Sequence, residues 1–236
     1  MSEANGPVRK LYGKIPHLPG SRLGPADRTA DADLAARCAG AGRSGDRVIV
    51  SEKLDGSCVA IVRGAGGLAA YGRDGLPCAA SRNDGRRAFA AWVAAREAAW
   101  REALAPGERL VCEWLALAHG TRYALPHGPA VAIDGFGAGG ARWPLDEVRR
   151  RAAAMGLPVA RVLHDGGALA VPEALARLGE HGHHGALDAA EGVVYRVERG
   201  GKVIGLAKHV RAGKIDGRYL ADKTGGDHVW NTWQDA

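Results

Sequence analysis

A glycine-centred hairpin near the end of the chain is the feature that most constrains the fold of this sequence. Residues 192–198 and 202–211 are rich in β-branched residues, and Arg199-Gly200-Gly201 forms a short reversal between them. Two runs joined in this way are typical of adjacent antiparallel strands. Similar strand signals occur earlier in the chain, at residues 48–53, 57–63, 68–73, 109–117 and 130–136.

Helix signals fall between these strand pairs. Asp84 is a plausible N-cap for a helix that continues through Trp100 to Leu104, and Pro144 and Pro172 mark the starts of two more helices. Strands that arrive in hairpins, with helices inserted between the pairs, predict an α+β fold built on antiparallel sheets.

The charge of the chain suits a partner that carries phosphates. Its formal net charge is +6 and its pI is about 9.3, although a composition rich in Ala, Gly and Arg raises basicity by itself. Only 7 of the 32 basic residues are lysines. Each lysine is therefore informative, because arginine cannot lose its proton to become a nucleophile.

The spacing of the cysteines and the hydropathy of the chain indicate the cellular environment of the protein. The four cysteines are widely spaced, without a Cys-x-x-Cys pair, and no apolar run has the length of a membrane span. The polar N-terminus has no signal-peptide pattern. We therefore expect reduced thiols, no zinc site, no membrane attachment and a cytoplasmic location.

Lys53-Leu54-Asp55-Gly56 places a lysine where a strand gives way to a turn. On its own, this sequence is more typical of a surface lysine in an Asp-Gly turn than of a nucleophile. A series of charged residues downstream favours the nucleophile. They are Arg73 within residues 71–75, Glu113 within the apolar run 110–115, Asp134 within residues 132–136, Glu191 just before the final hairpin, and Lys208 within it.

Strand periodicity separates two of these residues from ordinary surface charges. With a period of two, Lys208 shares a strand face with Leu206 and Val210, and Glu113 is likewise flanked by apolar residues on its own face. A charged side chain on an apolar face is costly or functional, unless it reaches solvent at an edge.

The ordered set resembles the covalent nucleotidyltransferase superfamily of polynucleotide ligases and mRNA capping enzymes, and is most similar to bacterial and phage RNA ligases. Lys53 to Gly56 resembles the motif that carries the lysine nucleophile. The later motifs are matched by Arg73, Glu113, Ile133-Asp134, Glu191-Gly192 and Lys208. The similarity to bacterial and phage RNA ligases in particular rests on the segments 14–21, 113–115, 208–211 and 227–230.

The resemblance implies an ATP-grasp-like ligase domain in which two antiparallel sheets flank an ATP cleft. Lys53 would attack the α-phosphorus of ATP and form lysyl-AMP, with Lys208 and Glu191 as further catalytic residues. Mg²⁺, or Mn²⁺, would be held by Glu191 and Glu113 together with several waters. The implied ATP-binding set is Glu52, Lys53, Asp55, Gly56, Arg73, Glu113, Ile133, Phe136, Glu191 and Lys208.

The implied polynucleotide substrate is RNA with 5′-phosphate and 3′-hydroxyl ends, and a partner that heals such ends remains an open question. We expect one domain over residues 1–236, with an irregular N-terminal arm (1–45) and an irregular C-terminal tail (213–236). Fewer residues follow Lys208 than the roughly 50 of a separate domain, so no C-terminal OB domain is expected. The cations predicted to contact RNA from the arm and tail are His17, Arg22, Arg211, Lys214, Arg218 and Lys223.

Two departures from the family pattern leave alternatives open. Leu206 stands where many relatives have a basic residue. Ile133 stands where an aromatic side chain often stacks on adenine, so Phe136 is either a substitute for that side chain or a core residue. The alternatives are a nick-sealing DNA ligase or an enzyme that adenylates 5′ ends, and an inactive nucleotidyltransferase-like RNA-binding module. His181, His183 and His184 are expected in a loop rather than at a metal.

Overall fold

The computed structural model describes residues 10–234. In that range the chain forms ten strands and six α-helices. The strands are β1 Arg47–Lys53, β2 Ser57–Gly64, β3 Gly67–Gly72, β4 Arg109–Trp114, β5 Ala124–Leu125, β6 Ala130–Phe136, β7 Val162–Gly166, β8 Gly192–Arg199, β9 Lys202–Val210 and β10 Thr232–Trp233. The helices are α1 Ala32–Ala39, α2 Asp84–Ala94, α3 Glu97–Trp100, α4 Leu145–Ala154, α5 Val171–Leu178 and α6 Ala221–Thr224.

Two four-stranded antiparallel sheets dominate the architecture, which confirms the predicted α+β class. The first sheet has the order β3-β2-β4-β6 and the second has the order β7-β1-β8-β9. The predicted hairpins β2–β3 and β8–β9 are both present. A short parallel pair joins β5 to β10 near the end of the described chain.

Each sheet has its own apolar core. On the first sheet, α2 and α4 pack through Phe89 and Val148 against strand residues such as Trp114. On the second sheet, α1 and α5 pack over Tyr195 and neighbouring valines. Both layers therefore bury one sheet face under helices, which leaves the opposing faces available for a site between them.

The turn 53–56 is where the chain passes from one sheet to the other. Lys53 ends β1 in the second sheet, and Ser57 begins β2 in the first. A Cβ atom at Gly56 would lie 2.4 Å from the carbonyl oxygen of Trp114, so the close approach of the turn to β4 requires glycine. The turn thus places Lys53 between the two sheets.

The predicted helix from Asp84 to Leu104 is wrong in its extent. It ends at Ala94, and a second short helix, α3, carries Trp100 back to the core, where its ring lies 5.0 Å from that of Trp92. The N-cap is Asn83, whose Oδ1 accepts the N–H of Arg86 at 3.0 Å. Packing of the two tryptophans thus outweighs continuation of the helix.

The arm and the tail contain more regular structure than their sequences predict. Asp31 caps α1 by accepting the N–H of Leu34 at 2.8 Å, and the tail contains α6 and β10. Strand β7, which pairs with β1, also lacks a sequence prediction. No helix within residues 10–234 is long and apolar enough to cross a membrane.

Candidate active site

A cavity of about 420 Å³ lies between the two sheets. The second sheet contributes Lys53, Val194 and Lys208 to its walls, and the first contributes Glu113 and Ile133. The remaining lining relevant to the site comes from Tyr12, Ile49, Glu52, Leu54, Gly56, Ser57, Cys58, Arg73, Arg86, His119, Ala160, Arg196 and Leu206.

Lys53, which lines this cavity, is paired with Glu191, which lies behind it and is not among the lining residues. Register between β1 and β8 sets Lys53 opposite Gly192, so Glu191 falls beside the lysine. The ammonium of Lys53 donates to Glu191 Oε2 at 2.6 Å and to the carbonyl oxygen of Leu54 at 3.3 Å. Both side chains are largely buried, with 20% and 8% of their surfaces exposed.

The charge state of Lys53 is set by competing effects. Burial disfavours its ammonium, but the carboxylates of Glu191 and Glu113 outweigh burial and raise the pKa of Lys53. Burial also raises the pKa of Glu191, and it raises the pKa of Glu113 to about 7. In this state the lysine is protonated, so a reaction at its nitrogen requires the surrounding negative charge to be neutralised.

Glu113 and Asp55 hold the turn 53–56 from opposite directions. Glu113 Oε1 accepts the N–H of Gly56 at 3.0 Å. Asp55 Oδ2 accepts the N–H of Gly120 at 2.7 Å and pairs with the buried ammonium of Lys214. Asp55 was predicted to bind ATP, but it is not among the cavity-lining residues, and its carboxylate supports the turn instead.

Arg73 and Lys208 bring two cations to the cavity. Within residues 10–234, neither charged group makes a hydrogen bond or ion pair. Arg86 and Arg196, by contrast, are paired with Asp74 and Asp134. Burial, followed by repulsion from Lys53, lowers the pKa of Lys208. These two unpaired cations suit a ligand with several phosphates.

An apolar region of the cavity is formed by Ile49, Ile133 and Val194. Ile133 thus lies at the cavity as predicted, but Phe136 does not. The Phe136 ring packs at 6.2 Å from Tyr12, with the Arg109 guanidinium 4.0 Å from its centroid. The pairing of β6 with β4 shifts register at Ile133, and the Ile133 side chain packs against the same apolar cluster as Phe136. Phe136 thus belongs to that apolar cluster rather than to the cavity lining.

Glu52 lines the cavity and also anchors a neighbouring loop. Its buried carboxylate accepts the N–H of His183 at 2.7 Å, and burial raises its pKa. His184, in the same loop, contacts His127 at 2.7 Å and accepts the N–H of Arg161 at 3.1 Å. These histidines are held by protein contacts, in keeping with the predicted loop.

Sequence reasoning missed several residues that support the site. The Tyr123 hydroxyl accepts the N–H of Asp55 at 3.1 Å, and Asn231 accepts the N–H of Tyr123 at 2.8 Å. His119 lines the cavity with its Nε2 at 3.3 Å from Ser57 Oγ, and burial lowers its pKa. The sequence around these residues does not indicate their supporting roles, because the residues that they contact are distant along the chain.

The donor set fits magnesium bound in part by its substrate. In the described part of the chain, no group of three or more His, Cys, Asp or Glu side chains is arranged to hold a metal. Glu113 and Glu191 nevertheless place two carboxylates around Lys53. Magnesium commonly binds through one or two carboxylates, with waters and substrate phosphates completing its shell.

A lysine held among carboxylates between two antiparallel sheets defines a covalent nucleotidyltransferase type of site. The family model for RNA ligase matches residues 46–210, which is most of the chain. The protein therefore belongs to the RNA ligase family. No curated protein matches the sequence at a significant level.

The fold is shared with a solved RNA ligase from Naegleria gruberi at low sequence identity. Naegleria gruberi RNA ligase with pyrophosphate has a TM-score of 0.53 at 13% identity, covering 95% of this chain and 65% of its own. A mutant of that ligase with ATP and Mn has a TM-score of 0.53 at 14% identity, covering 71% and 50%. An archaeal ATP-dependent RNA ligase has a TM-score of 0.48 at 21% identity, covering 70% and 42%. The chain thus spans about half the length of these ligases.

Proposed function

We propose that this protein is an ATP-dependent RNA ligase that joins 5′-phosphate and 3′-hydroxyl ends through a lysyl-AMP intermediate. The observation that carries the proposal is the position of Lys53, whose amine lies at the cavity against Glu191, with the unpaired cations Arg73 and Lys208 at the same cavity. The residues around the motifs, such as segments 14–21 and 227–230, favour the bacterial and phage type of RNA ligase.

In the first step, Lys53 Nζ attacks the α-phosphorus of ATP. A nitrogen–phosphorus bond forms, the bond to the bridging oxygen of the β-phosphate breaks, and pyrophosphate leaves. Lys53 must lose its proton before the attack, and the nearby carboxylates oppose that loss by raising its pKa. Neutralising the charges of Glu191 and Glu113 therefore lowers the pKa of Lys53 and favours its neutral, nucleophilic amine.

Other residues of the cavity have distinct roles in this step. Lys208 neutralises charge that develops on the α-phosphate, and Arg73 contacts the remaining phosphates. Glu113 binds the ribose while it holds Gly56, and Ile133 packs on the base. These assignments rest on the family resemblance together with the position of all four residues at one cavity.

Glu191 and Glu113 would hold a magnesium or manganese ion, which supplies positive charge beside the phosphates. That charge would offset the field of the same two carboxylates at Lys53. An oxygen of the 5′-phosphate of an RNA strand then attacks the phosphorus of lysyl-AMP, the nitrogen–phosphorus bond breaks, and Lys53 leaves as an amine. Finally, a 3′-hydroxyl attacks that phosphate, a phosphodiester forms and AMP leaves.

The decisive experiment is labelling with ATP that carries a radioactive α-phosphate, followed by denaturing electrophoresis. Wild-type protein with Mg²⁺ should retain label, whereas Lys53→Ala and Lys53→Arg should retain none. Lys10→Ala serves as the matched control, because Lys10 is an exposed lysine of the arm. Full labelling of either Lys53 variant would refute the assignment, and an unlabelled wild type would favour the inactive RNA-binding module.

Substrate preference needs a second measurement. Matched nicked and single-stranded RNA and DNA, each with a 5′-phosphate, should be compared under one set of conditions. Faster joining of RNA is expected. Faster joining of a DNA nick would move the assignment to a DNA ligase, and accumulation of adenylated 5′ ends without joining would define an end-adenylating enzyme.

A further inference from the structure

The C-terminal strap, defined here as residues 229–234, is anchored on both sides of an outward-facing tryptophan. Val229 accepts the N–H of Ala118 at 2.9 Å, and the N–H of Asn231 donates to Ala116 at 2.9 Å. The Asn231 side chain is 5% exposed and donates to the carbonyl oxygen of Leu115 at 2.7 Å. Trp230 lies between these anchors and is 46% exposed, so a large aromatic surface is held open to solvent by fixed backbone.

Trp230 lies next to the rim of the cavity. Its backbone pairs with Leu117, two residues before His119, which lines the cavity. Leu117 also touches α2, because a Cβ atom at Gly85 would lie 2.7 Å from Leu117 Cδ1. Arg86, the next residue of α2, lines the cavity as well. Trp230 is therefore connected to the cavity both through residues 117–119 and through α2.

Residues 82–87, at the start of α2, bring charged side chains to this rim. His228 lies with its ring 6.4 Å from that of Trp230 and its Nε2 3.2 Å from Asp84 Oδ2. Arg87 also pairs with Asp84, which neutralises the carboxylate. Arg82 is exposed, and between residues 10 and 234 no hydrogen bond or ion pair involves its guanidinium. The rim thus combines an exposed indole with an uncompensated cation.

An exposed indole beside cations, continuous with a phosphate-binding cavity, matches the chemistry of a single-stranded polynucleotide. Bases stack on aromatic rings irrespective of sequence, and phosphates pair with the neighbouring cations. A single exposed apolar residue needs no ligand, but here the indole is rigidly held and adjoins the cavity.

We infer that the strap and residues 82–87, at the start of α2, form the surface on which an RNA strand lies as its 5′ end enters the cavity. In this arrangement a base stacks on Trp230 and a phosphate contacts Arg82. The identity of the strand as RNA rests on the proposed function. The surface itself lies partly outside residues 46–210, the range of the family match.

The test compares equilibrium binding of a 5′-phosphorylated, fluorescent RNA oligonucleotide by full-length variants at two salt concentrations. Trp230→Ala should weaken binding by about 5- to 150-fold, and Trp230→Phe should retain most of the affinity. Arg82→Ala should weaken binding and reduce the salt dependence by about one ion. Ile204→Ala is the matched control, since Ile204 is 47% exposed at the hairpin end of β9, and it should bind like wild type.

Self-adenylation of each variant separates the outcomes, because that step uses ATP without RNA. RNA affinity of Trp230→Ala equal to wild type would overturn the inference. A proportional loss of adenylation in Trp230→Ala would also overturn it, since Trp230 would then be supporting the ATP site. If the wild-type protein adenylates itself but does not bind RNA, the proposed RNA-binding surface is refuted and the proposed adenylation is not. If it binds RNA but does not adenylate itself, only the proposed catalysis is refuted.

Discussion

The hydroxyl of Tyr123 accepts the backbone N–H of Asp55 at 3.1 Å, two residues after the lysine at the cavity. Tyr123 is 2% exposed, so the N–H of Asp55 has little access to water as a replacement partner. The same tyrosine is held through its own N–H by Asn231, at 2.8 Å. A line of contacts therefore runs from the end of the described chain to the turn 53–56.

Replacing Tyr123 by phenylalanine tests this support. The ring remains, but the N–H of Asp55 loses its acceptor, and a buried unsatisfied donor costs about 1–3 kcal/mol. We expect a lower melting temperature and slower self-adenylation, because Lys53 is held less firmly. The measurements are thermal unfolding and the single-turnover rate of adenylation.

Tyr219→Phe is the control for this variant. The Tyr219 hydroxyl donates to Asp188 at 3.1 Å, away from the turn 53–56, and this variant should adenylate at the wild-type rate. If Tyr123→Phe and Tyr219→Phe adenylate equally fast, Tyr123 does not position the turn.

Neutralising Glu191 should make Lys53 a more reactive amine while disabling the enzyme. Glu191 is one of the carboxylates that raise the pKa of Lys53, so Glu191→Gln should lower that pKa. At a fixed pH near 8, the neutral fraction then rises, by roughly tenfold for each unit of pKa. Without ATP, Lys53 should react faster with an uncharged amine-modifying reagent, as mass spectrometry of the modified peptide would show.

The same Glu191→Gln variant should adenylate slowly and lose its response to added Mg²⁺, because the predicted metal ligand is gone. Glu173→Gln is a suitable control, since Glu173 pairs with Arg177 on the surface of α5. Unchanged modification of Lys53 in Glu191→Gln would mean that Glu191 does not set its charge state.

Two of the residues that the sequence singled out have a chemistry that conflicts with their surroundings. Glu113 and Lys208 interrupt apolar strands, so the strand pattern marks them. Lys53 is marked only by the ordered series of charged residues that follows its Asp-Gly turn. The hairpins that build both sheets were predictable for the same reason, because alternation and glycine-rich reversals are local signals.

The missed features depend on contacts between distant parts of the chain. Lys214 pairs with Asp55 across 159 residues, and Asn231 meets Tyr123 across 108, so no local pattern marks either one. The sequence leaves Phe136 open between adenine stacking and core packing, because only its contacts with Tyr12 and Arg109 place its ring in an apolar cluster. The break after Ala94 likewise follows from the contact of Trp92 with Trp100.

His184 should make the stability of the protein depend on pH in the acid range. The N–H of Arg161 donates to Nε2 of His184, and His127 Nδ1 faces the carbonyl oxygen of Gly128 at 2.7 Å. His184 Nδ1–H must therefore donate to His127 Nε2, an arrangement that requires a neutral His184. Burial is the main cause that lowers the pKa of His184 from 6.5 to about 4.

A folded-state pKa below the unfolded value gives stability that is present above pH 6.5 and lost as pH falls toward 4. His184→Leu should therefore flatten the loss of unfolding free energy between pH 7.5 and 4.5, by an amount on the order of 1–3 kcal/mol. Urea unfolding at both values measures it, with the exposed His181→Leu as control. An equally steep loss in His184→Leu and wild type would contradict the assignment.

The last prediction separates the two kinds of cation in the C-terminal tail. The sequence predicted that arm and tail cations contact RNA, but His17 and Lys214 are buried, at 2% and 8% exposure. Lys214 donates to Thr121 Oγ1 at 2.8 Å and pairs with Asp55. Lys223 is exposed, and no hydrogen bond or ion pair of its ammonium occurs in the described range.

Lys214→Met should therefore slow self-adenylation and lower the melting temperature, because it leaves the carboxylate of Asp55 without its buried partner. Lys223→Met should leave both unchanged and weaken RNA binding slightly, with a smaller salt dependence. Removing all residues after Leu220 takes away Asn231 as well, so adenylation and joining should fall together in a truncated protein that circular dichroism shows to be folded. Intact adenylation in that truncated protein would show that Asn231 does not support the turn through Tyr123, and that the tail serves the polynucleotide alone.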